Sequence, residues 1–291
     1  MKNCLEVSIL FYFFLITNCF SQTDSDKNNV PRQDTGISGI VYVGGAELHY
    51  IVEGKGIPCI VLGHSLSQYR ILSQALRDHF RFIFADLRHD AQSNSSLELS
   101  ELSLNTYLND INAILDTLDL EKSAIFAHSH HSFIDTALGE EDKFWKSDAS
   151  KERKMIFKRN WKRLRKEGLT KMPPKERYIK TYSAMTPKLM YDPKGDLSYI
   201  VNVIDNNTEV FLHLQLTILG DYDIIKGPEI SIIVFLALGR YDYVCPYKLW
   251  EERKGVFLNL SYNLFEKSGH FPMVEEQDLF DEKLIDWIVI H

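Results

Sequence analysis

Three short apolar runs, Pro58 to Leu62, Phe82 to Ala85 and Ser123 to Ala127, lack any polar alternation. A strand with no polar face must be covered on both sides, which parallel sheets achieve and half-solvated sheets do not. The intervening segments have the other period. Leu104, Tyr107, Leu108, Ile111, Leu115 and Leu118 form an i, i+3, i+4, i+7 stripe, and Leu72, Ala75 and Leu76 share a face earlier on. Strand, helix, strand, helix, strand therefore predicts parallel pairing through crossover helices, an α/β sheet. The rhythm returns late in the chain. Ile232 to Leu238 reads as a strand, residues 247–253 as a helix and Leu260 to Phe265 as a strand. Phe280, Leu284, Trp287 and Ile288 then share one face of a terminal helix. Ahead of all this, Val41-Tyr42-Val43 and Leu48 to Val52 flank Gly44-Gly45, a hairpin signal.

The chain of 291 residues is 45% apolar and 25% charged, a globular balance, and its 12% aromatic content excludes disorder. A net charge of −7 argues against a nucleic-acid partner. Residues 151–180 nevertheless hold 13 Lys and Arg against 3 Asp and Glu. This basic stretch lies within residues 135–225, where the strand–helix rhythm stops. Phe157, Trp161 and Leu164 have helical spacing there, and Pro173-Pro174 follows. The segment predicts a helical insertion, or cap, dividing a core of residues 37–134 and 226–291.

Residues 1–21 have the form of an export signal. Met1-Lys2 give a positive start, and Val7 to Ile16 form an apolar core too short to span a bilayer. Cys19-Phe20-Ser21 offers a cleavage site before Gln22, and Ile16-Thr17-Asn18-Cys19 is similar to a lipobox in which Cys19 carries a lipid anchor. The expectation is an exported protein, periplasmic, extracellular or lipid-anchored at the membrane surface, with residues 22–36 as a polar tether. Cys59 and Cys245, the two body cysteines, read as buried thiols and not as a disulfide framework.

In open parallel sheets the chemistry sits beyond the carboxyl ends of the strands. Three such ends carry reactive side chains. One runs into His128-Ser129-His130-His131, one into Gly239-Arg240-Tyr241-Asp242, and one into Ser268-Gly269-His270-Phe271-Pro272. Ser129, Asp242 and His270 thus occur in the chain order of a nucleophile, an orienting carboxylate and a base. The 28 positions between Asp242 and His270 leave room for one helix and one strand, which returns both side chains to the same sheet edge. A different chemistry shares the first end: His128 and His130 form an H-x-H pair that could bind one metal ion. Ser132 and Phe133 stand where a second metal would need ligands. A third possibility is a binding protein that kept the sheet without the chemistry.

On these residues the chain resembles the α/β-hydrolase family, more narrowly its proline iminopeptidase-like branch. The resemblance is most specific in F-L-A-L-G-R-Y-D from Phe235, then S-G-H-F-P, then a helix ending D-W-I. Gly63-His64-Ser65 stands at the oxyanion-loop position, and the basic insert is similar to that branch's helical lid. The resemblance implies a serine hydrolase, an esterase or aminopeptidase acting on a small-molecule or short-peptide substrate without a cofactor or metal. Ser129 would be the nucleophile, Asp242 the acid and His270 the base. The backbone N–H groups of Ser65 and His130 would form the oxyanion hole, and a lid carboxylate, Glu209, would bind a substrate ammonium group. Two departures stand out. The elbow reads Ala127-His128-Ser129-His130-His131 where the family has G-x-S-x-G. No β-rich run follows Ser129 before residue 197, so one central strand is expected to be missing or drawn from elsewhere.

Overall fold

The computed structural model describes residues 13–16, 37–90, 97–129, 134–204, 208–218 and 229–291. Its strands are Phe13–Ile16 (β1), Ile37–Val43 (β2), Ala46–Gly54 (β3), Ile57–Leu62 (β4), Phe80–Ala85 (β5), Ala124–Ala127 (β6), Ile230–Gly239 (β7) and Phe257–Phe265 (β8). They form one sheet in the order β2-β3-β5-β4-β6-β1-β7-β8. β4 is parallel to β5 and β6, and β7 is parallel to β8. β1 is antiparallel to both β6 and β7, so the two parallel groups share one direction. Six of the eight strands therefore run the same way, with β1 and β3 reversed. β2 and β3 turn through Gly44 and Gly45, whose φ values of 50° and 76° suit a tight two-residue hairpin.

The apolar runs are buried on both faces, as their lack of alternation requires. Ile60, Leu62, Ile83, Ala85, Leu236 and Leu238 face one core, where Ile111 and Ile114 also lie. Cys59, Val61, Phe82, Phe84, Phe235 and Ala237 face the other, with Leu284 and Trp287. Helices supply the cover. Ser65–Ile71 (α1) and Leu104–Thr117 (α2) follow β4 and β5, and Ser103 starts α2 with a reciprocal capping box to Thr106. Ile134–Asp148 (α3), Lys151–Lys166 (α4), Pro174–Leu189 (α5), Ser198–Val201 (α6) and Thr208–His213 (α7) make up the insertion. Tyr247–Glu251 (α8), Pro272–Glu275 (α9) and Gln277–Ile290 (α10) complete the carboxy-terminal half.

One sequence expectation changes here, and another, that a central strand is missing or drawn from elsewhere, is met in its second form. The face predicted from Leu72, Ala75 and Leu76 is not a continuous helix. α1 ends at Ile71, Leu72 is extended, and a separate short turn runs from Ala75 to Asp78. Arg77 accounts for the break, because its Nη1 donates to the carbonyls of Leu72 and Ser73 at 2.7 and 2.6 Å. The second concerns the whole sheet. Among the described residues no strand forms between Ala127 and Ile230, yet the sheet position beside β6 is occupied. The last four residues of the apolar run expected to be the core of an export signal, Phe13–Ile16, fill it as β1.

An ion pair fastens the loop after β5 to α2. Arg88 Nε and Nη2 donate to the two oxygens of Asp110 at 2.6 and 2.5 Å, with both residues at most 2% exposed. Burial pushes the Asp110 carboxyl up, and the Arg88 hydrogen bond and charge pull it back. Removing one partner strands a charge in the interior. Arg88→Met should therefore cost about 3–5 kcal/mol in urea denaturation. Replacing both partners with apolar residues should recover most of that loss.

Candidate active site

β6 delivers its chain to the sheet rim at Ala127, and Ser129 takes a left-handed φ of 66°. A non-glycine residue in that region is strained, which fits a side chain being forced clear of its own strand. β7 ends at Gly239 and β8 at Phe265, so Asp242 and His270 arrive at the same rim from the adjacent half of the sheet. Gly239 and Gly269 allow these two loops to touch. A β-carbon on Gly239 would lie 1.8 Å from the Gly269 carbonyl oxygen, and one on Gly269 would lie 2.4 Å from that of Leu189.

The three residues meet. Ser129 Oγ is 2.5 Å from His270 Nε2, and His270 Nδ1 is 2.8 Å from Asp242 Oδ2. Asp242 Oδ1 accepts from the N–H groups of Val244 and Cys245 at 2.8 and 2.9 Å. Burial raises the Asp242 carboxyl, but the His270 charge and hydrogen bond, with those two N–H groups, outweigh it and leave the group below the ordinary range. An ionised Asp242 makes Nδ1 the protonated ring nitrogen, so Nε2 is free to accept the Ser129 hydroxyl proton.

His128 has a different part from either one expected of its neighbourhood. Its Nε2 donates to the His270 carbonyl oxygen at 2.8 Å, and its ring lies against His270 and Phe271. Burial, aided by the His270 charge, pushes its pKa down to about 3, so the ring is neutral. One of the two ring nitrogens that an H-x-H metal site could use is thus committed to the His270 loop. His130 and His131 lie outside the described residues. Among the described residues Asp242, Cys245 and His270 bring potential ligand atoms within 4.8 Å of one another. Two of those three already share the 2.8 Å hydrogen bond.

The remaining site expectations separate. The Ser65 N–H donates to Asp86 Oδ1 at 2.7 Å, so the oxyanion donor expected of Ser65 is already engaged. Burial and the neighbouring Asp90 raise the Asp86 carboxyl against the pull of Ser65 and His64. Glu209 is exposed on α7. A cavity of about 860 Å³ opens beside the loop after β4, lined by His49, Tyr50, His64, Ser65, Asp86 and Asp90 among others.

Sequence reasoning missed Glu275. Its Oε2 accepts from the Gly269 N–H and its Oε1 from the Tyr191 N–H, both at 2.6 Å. The His270 N–H donates to the Leu189 carbonyl at 2.6 Å. One carboxylate therefore ties the histidine loop to the end of α5, where Arg153 also binds the Pro187, Met190 and Tyr191 carbonyls. The available signal was an acidic residue five positions after His270, on the same side of a proline-started helical turn. Burial pushes the Glu275 carboxyl up to about 7, against the pull of its N–H donors. An acid raised in the folded state favours folding most below its unfolded value and loses that contribution as pH rises toward 7. Glu275→Gln leaves one N–H without an acceptor, at a cost of about 1–3 kcal/mol. The stability gap to the parent, read from urea midpoints, should be wide at pH 5 and narrower at pH 8.

No protein-family model matches the chain. It is 25% identical over 278 residues to the AB hydrolase superfamily protein YclE of Bacillus subtilis (strain 168), covering 86% of this chain and 98% of that one. Among solved structures it is similar to an alpha/beta fold family hydrolase from Bacillus anthracis str. Sterne, with a TM-score of 0.59 and 20% identity over 86% of this chain and 99% of the other. The enol-lactonase from Burkholderia xenovorans LB400 gives a TM-score of 0.59 at 16% identity over 86% and 100% of the two chains. For the esterase from Exiguobacterium antarcticum the values are 0.54 and 18% over 87% and 99%.

Proposed function

We propose, for a chain that has the α/β-hydrolase fold and whose relatives point to that superfamily, that it is a serine hydrolase acting through an acyl-enzyme on Ser129. The observation that carries this reading is the unbroken hydrogen-bond chain from Ser129 Oγ through His270 to Asp242. A serine hydroxyl is a weak nucleophile until a base takes its proton, and His270 Nε2 stands within reach to do so. As Oγ bonds to the substrate carbonyl carbon, His270 becomes an imidazolium facing the ionised Asp242. It then gives its proton to the leaving group, which departs, and the acyl group stays on Ser129. In the second half His270 takes a proton from water, the resulting hydroxide attacks the acyl carbon, and Ser129 regains its hydrogen.

The developing oxyanion needs fixed donors, each contributing about 10²–10³ in kcat. With the Ser65 N–H held by Asp86, the next N–H in the first turn of α1, that of Leu66, takes the loop-side role. It makes no hydrogen bond among the described residues. The second donor is the N–H of His130, which lies outside those residues.

A small ester or amide is the substrate class. The esterase and enol-lactonase among the structural neighbours favour the ester arm. The aminopeptidase arm of the proline iminopeptidase-like reading needs a buried anion for the substrate's ammonium group. Glu209, exposed on α7, is a weak candidate because water screens it. A panel of p-nitrophenyl esters and aminoacyl-naphthylamides, run with a fluorophosphonate probe, tests the proposal. Covalent labelling at Ser129 with turnover in either series is expected. A folded protein that neither labels nor turns over would make this a binding module, and activity lost to a chelator would return attention to metal.

A further inference from the structure

The serine and its base come from different halves of the sheet, and the strands of those halves, β6 and β7, do not pair with each other. β6, which leads to Ser129, pairs with β4 on one edge and β1 on the other. β7, which leads to Asp242, pairs with β8 on one edge and β1 on the other. Phe14 and Leu15 stand opposite Phe126 and Ile125, while Phe13 to Ile16 run opposite Leu236 to Ile233. We propose that Phe13–Ile16 is a retained structural strand of the working protein, a splint across which the Ser129–His270 contact is held.

The need for such a splint follows from the sequence. Among the described residues the chain supplies no strand between β6 and β7, and β1 fills the slot between them. Left open, it would expose the apolar edges of β6 and of the ten-residue β7, an invitation to aggregation. Closed by collapse, it would bring β6 and β7 together by one strand spacing, about 4.8 Å. A displacement of that size is about twice the 2.5 Å separation of Ser129 Oγ and His270 Nε2, so the triad could not survive it.

The direction of β1 has a physical reason as well. Running against β6, it finishes at the rim opposite Ser129, and β2, parallel to β6, begins at that same rim. Ile16 and Ile37 are then separated by five strand positions, about 24 Å. Residues 17–36 can reach up to about 70 Å when extended, so the link needs no crossover. A parallel strand in the slot would have required the chain to return across the whole height of the sheet. The FFLI sequence of β1 is also continuously apolar, as a central strand covered on both faces must be.

This reading competes with the one in which residues 1–21 are cut away as an export signal. The two differ in what the mature protein contains, and three proteins decide between them: the full chain, a chain beginning at Gln22, and the full chain with Leu15→Pro. Proline removes a ladder hydrogen bond from the middle of a strand, and Leu15→Ile serves as the conservative control. Hydrogen exchange at Ile125, Phe126, Val234 and Phe235 is measured first, because it does not depend on catalysis and because one amide of each adjacent pair faces β1 while the other faces β4 or β8. In the full chain and in Leu15→Ile all four are expected to be protected; in the other two proteins the β1-facing amide of each pair loses protection and its neighbour keeps it. Fluorophosphonate labelling should fall about 10²-fold or more with it. A synthetic peptide of residues 10–18 added to the Gln22 chain should restore both protection and labelling. Full protection and labelling in the chain beginning at Gln22, or no restoration by the peptide, would overturn the splint. Protection that tracks β1 in a protein that never labels would leave the splint standing and remove the hydrolase reading.

Discussion

Replacing Ser129 with alanine is expected to reduce kcat about 10⁶-fold, with only the catalysis due to binding and oxyanion stabilisation remaining. Fluorophosphonate labelling should vanish in parallel. The loss is large because the three groups act as a unit: without Oγ, His270 has no proton to take. The two variants should nevertheless differ in stability. Ser129 holds a φ of 66°, which costs a non-glycine residue on the order of 1–2 kcal/mol. Alanine keeps the β-carbon and the strain, and it loses the 2.5 Å hydrogen bond to His270. Glycine removes both the β-carbon and the strain. Ser129→Gly should therefore be as inactive as Ser129→Ala but melt at a higher temperature. Equal melting temperatures would mean that the elbow stores no strain, and appreciable turnover in either variant would place the nucleophile elsewhere.

The parts of this site that could be read from sequence are those fixed by strand ends. Ser129, Asp242 and His270 each follow an apolar run whose burial on both faces leaves little freedom in where it points. Parallel strands then deliver their carboxyl ends to one rim, so separation in sequence carries no information about separation in space. The hairpin at Gly44-Gly45 was legible for a similar reason, since two adjacent residues with positive φ admit few turns.

What stayed hidden depends on contacts between segments with no local signature. Asp86, on the loop after β5, reaches the Ser65 N–H at the start of α1, 21 positions away, and Glu275, at the end of α9, reaches Tyr191, 84 positions away. A carboxylate on a loop looks the same in sequence whether it meets water or a backbone N–H. β1 is the extreme case. An apolar run near an amino terminus satisfies the pattern of an export signal and the pattern of a central strand equally well, because both require unbroken hydrophobicity. The slot between β6 and β7 that Phe13–Ile16 occupies is a property of the whole sheet and leaves no mark on the local sequence.

Asp242→Asn should lower kcat about 10⁴-fold while leaving the fold intact, and the reason lies in the hydrogen bonds of its two oxygens. Oδ1 accepts from the Val244 and Cys245 N–H groups, so the single oxygen of asparagine is drawn to that side. The amide nitrogen is then left facing His270 Nδ1 at the place of Oδ2. Two donors cannot face each other, so Nδ1 gives up its hydrogen and Nε2 takes one. Nε2–H donates to Ser129 Oγ and can no longer act as a base at neutral pH. NMR of the His270 ring should show the exchange of tautomers directly. Asp242 also leaves a mark on stability. Its carboxyl is held below its ordinary value, so its contribution is complete above about pH 4 and disappears as pH falls further. Urea midpoints of the parent and of Asp242→Asn should thus converge in acid, while at neutral pH the parent is the more stable. A variant with near-parent kcat and an unchanged tautomer would show that Asp242 does not orient His270.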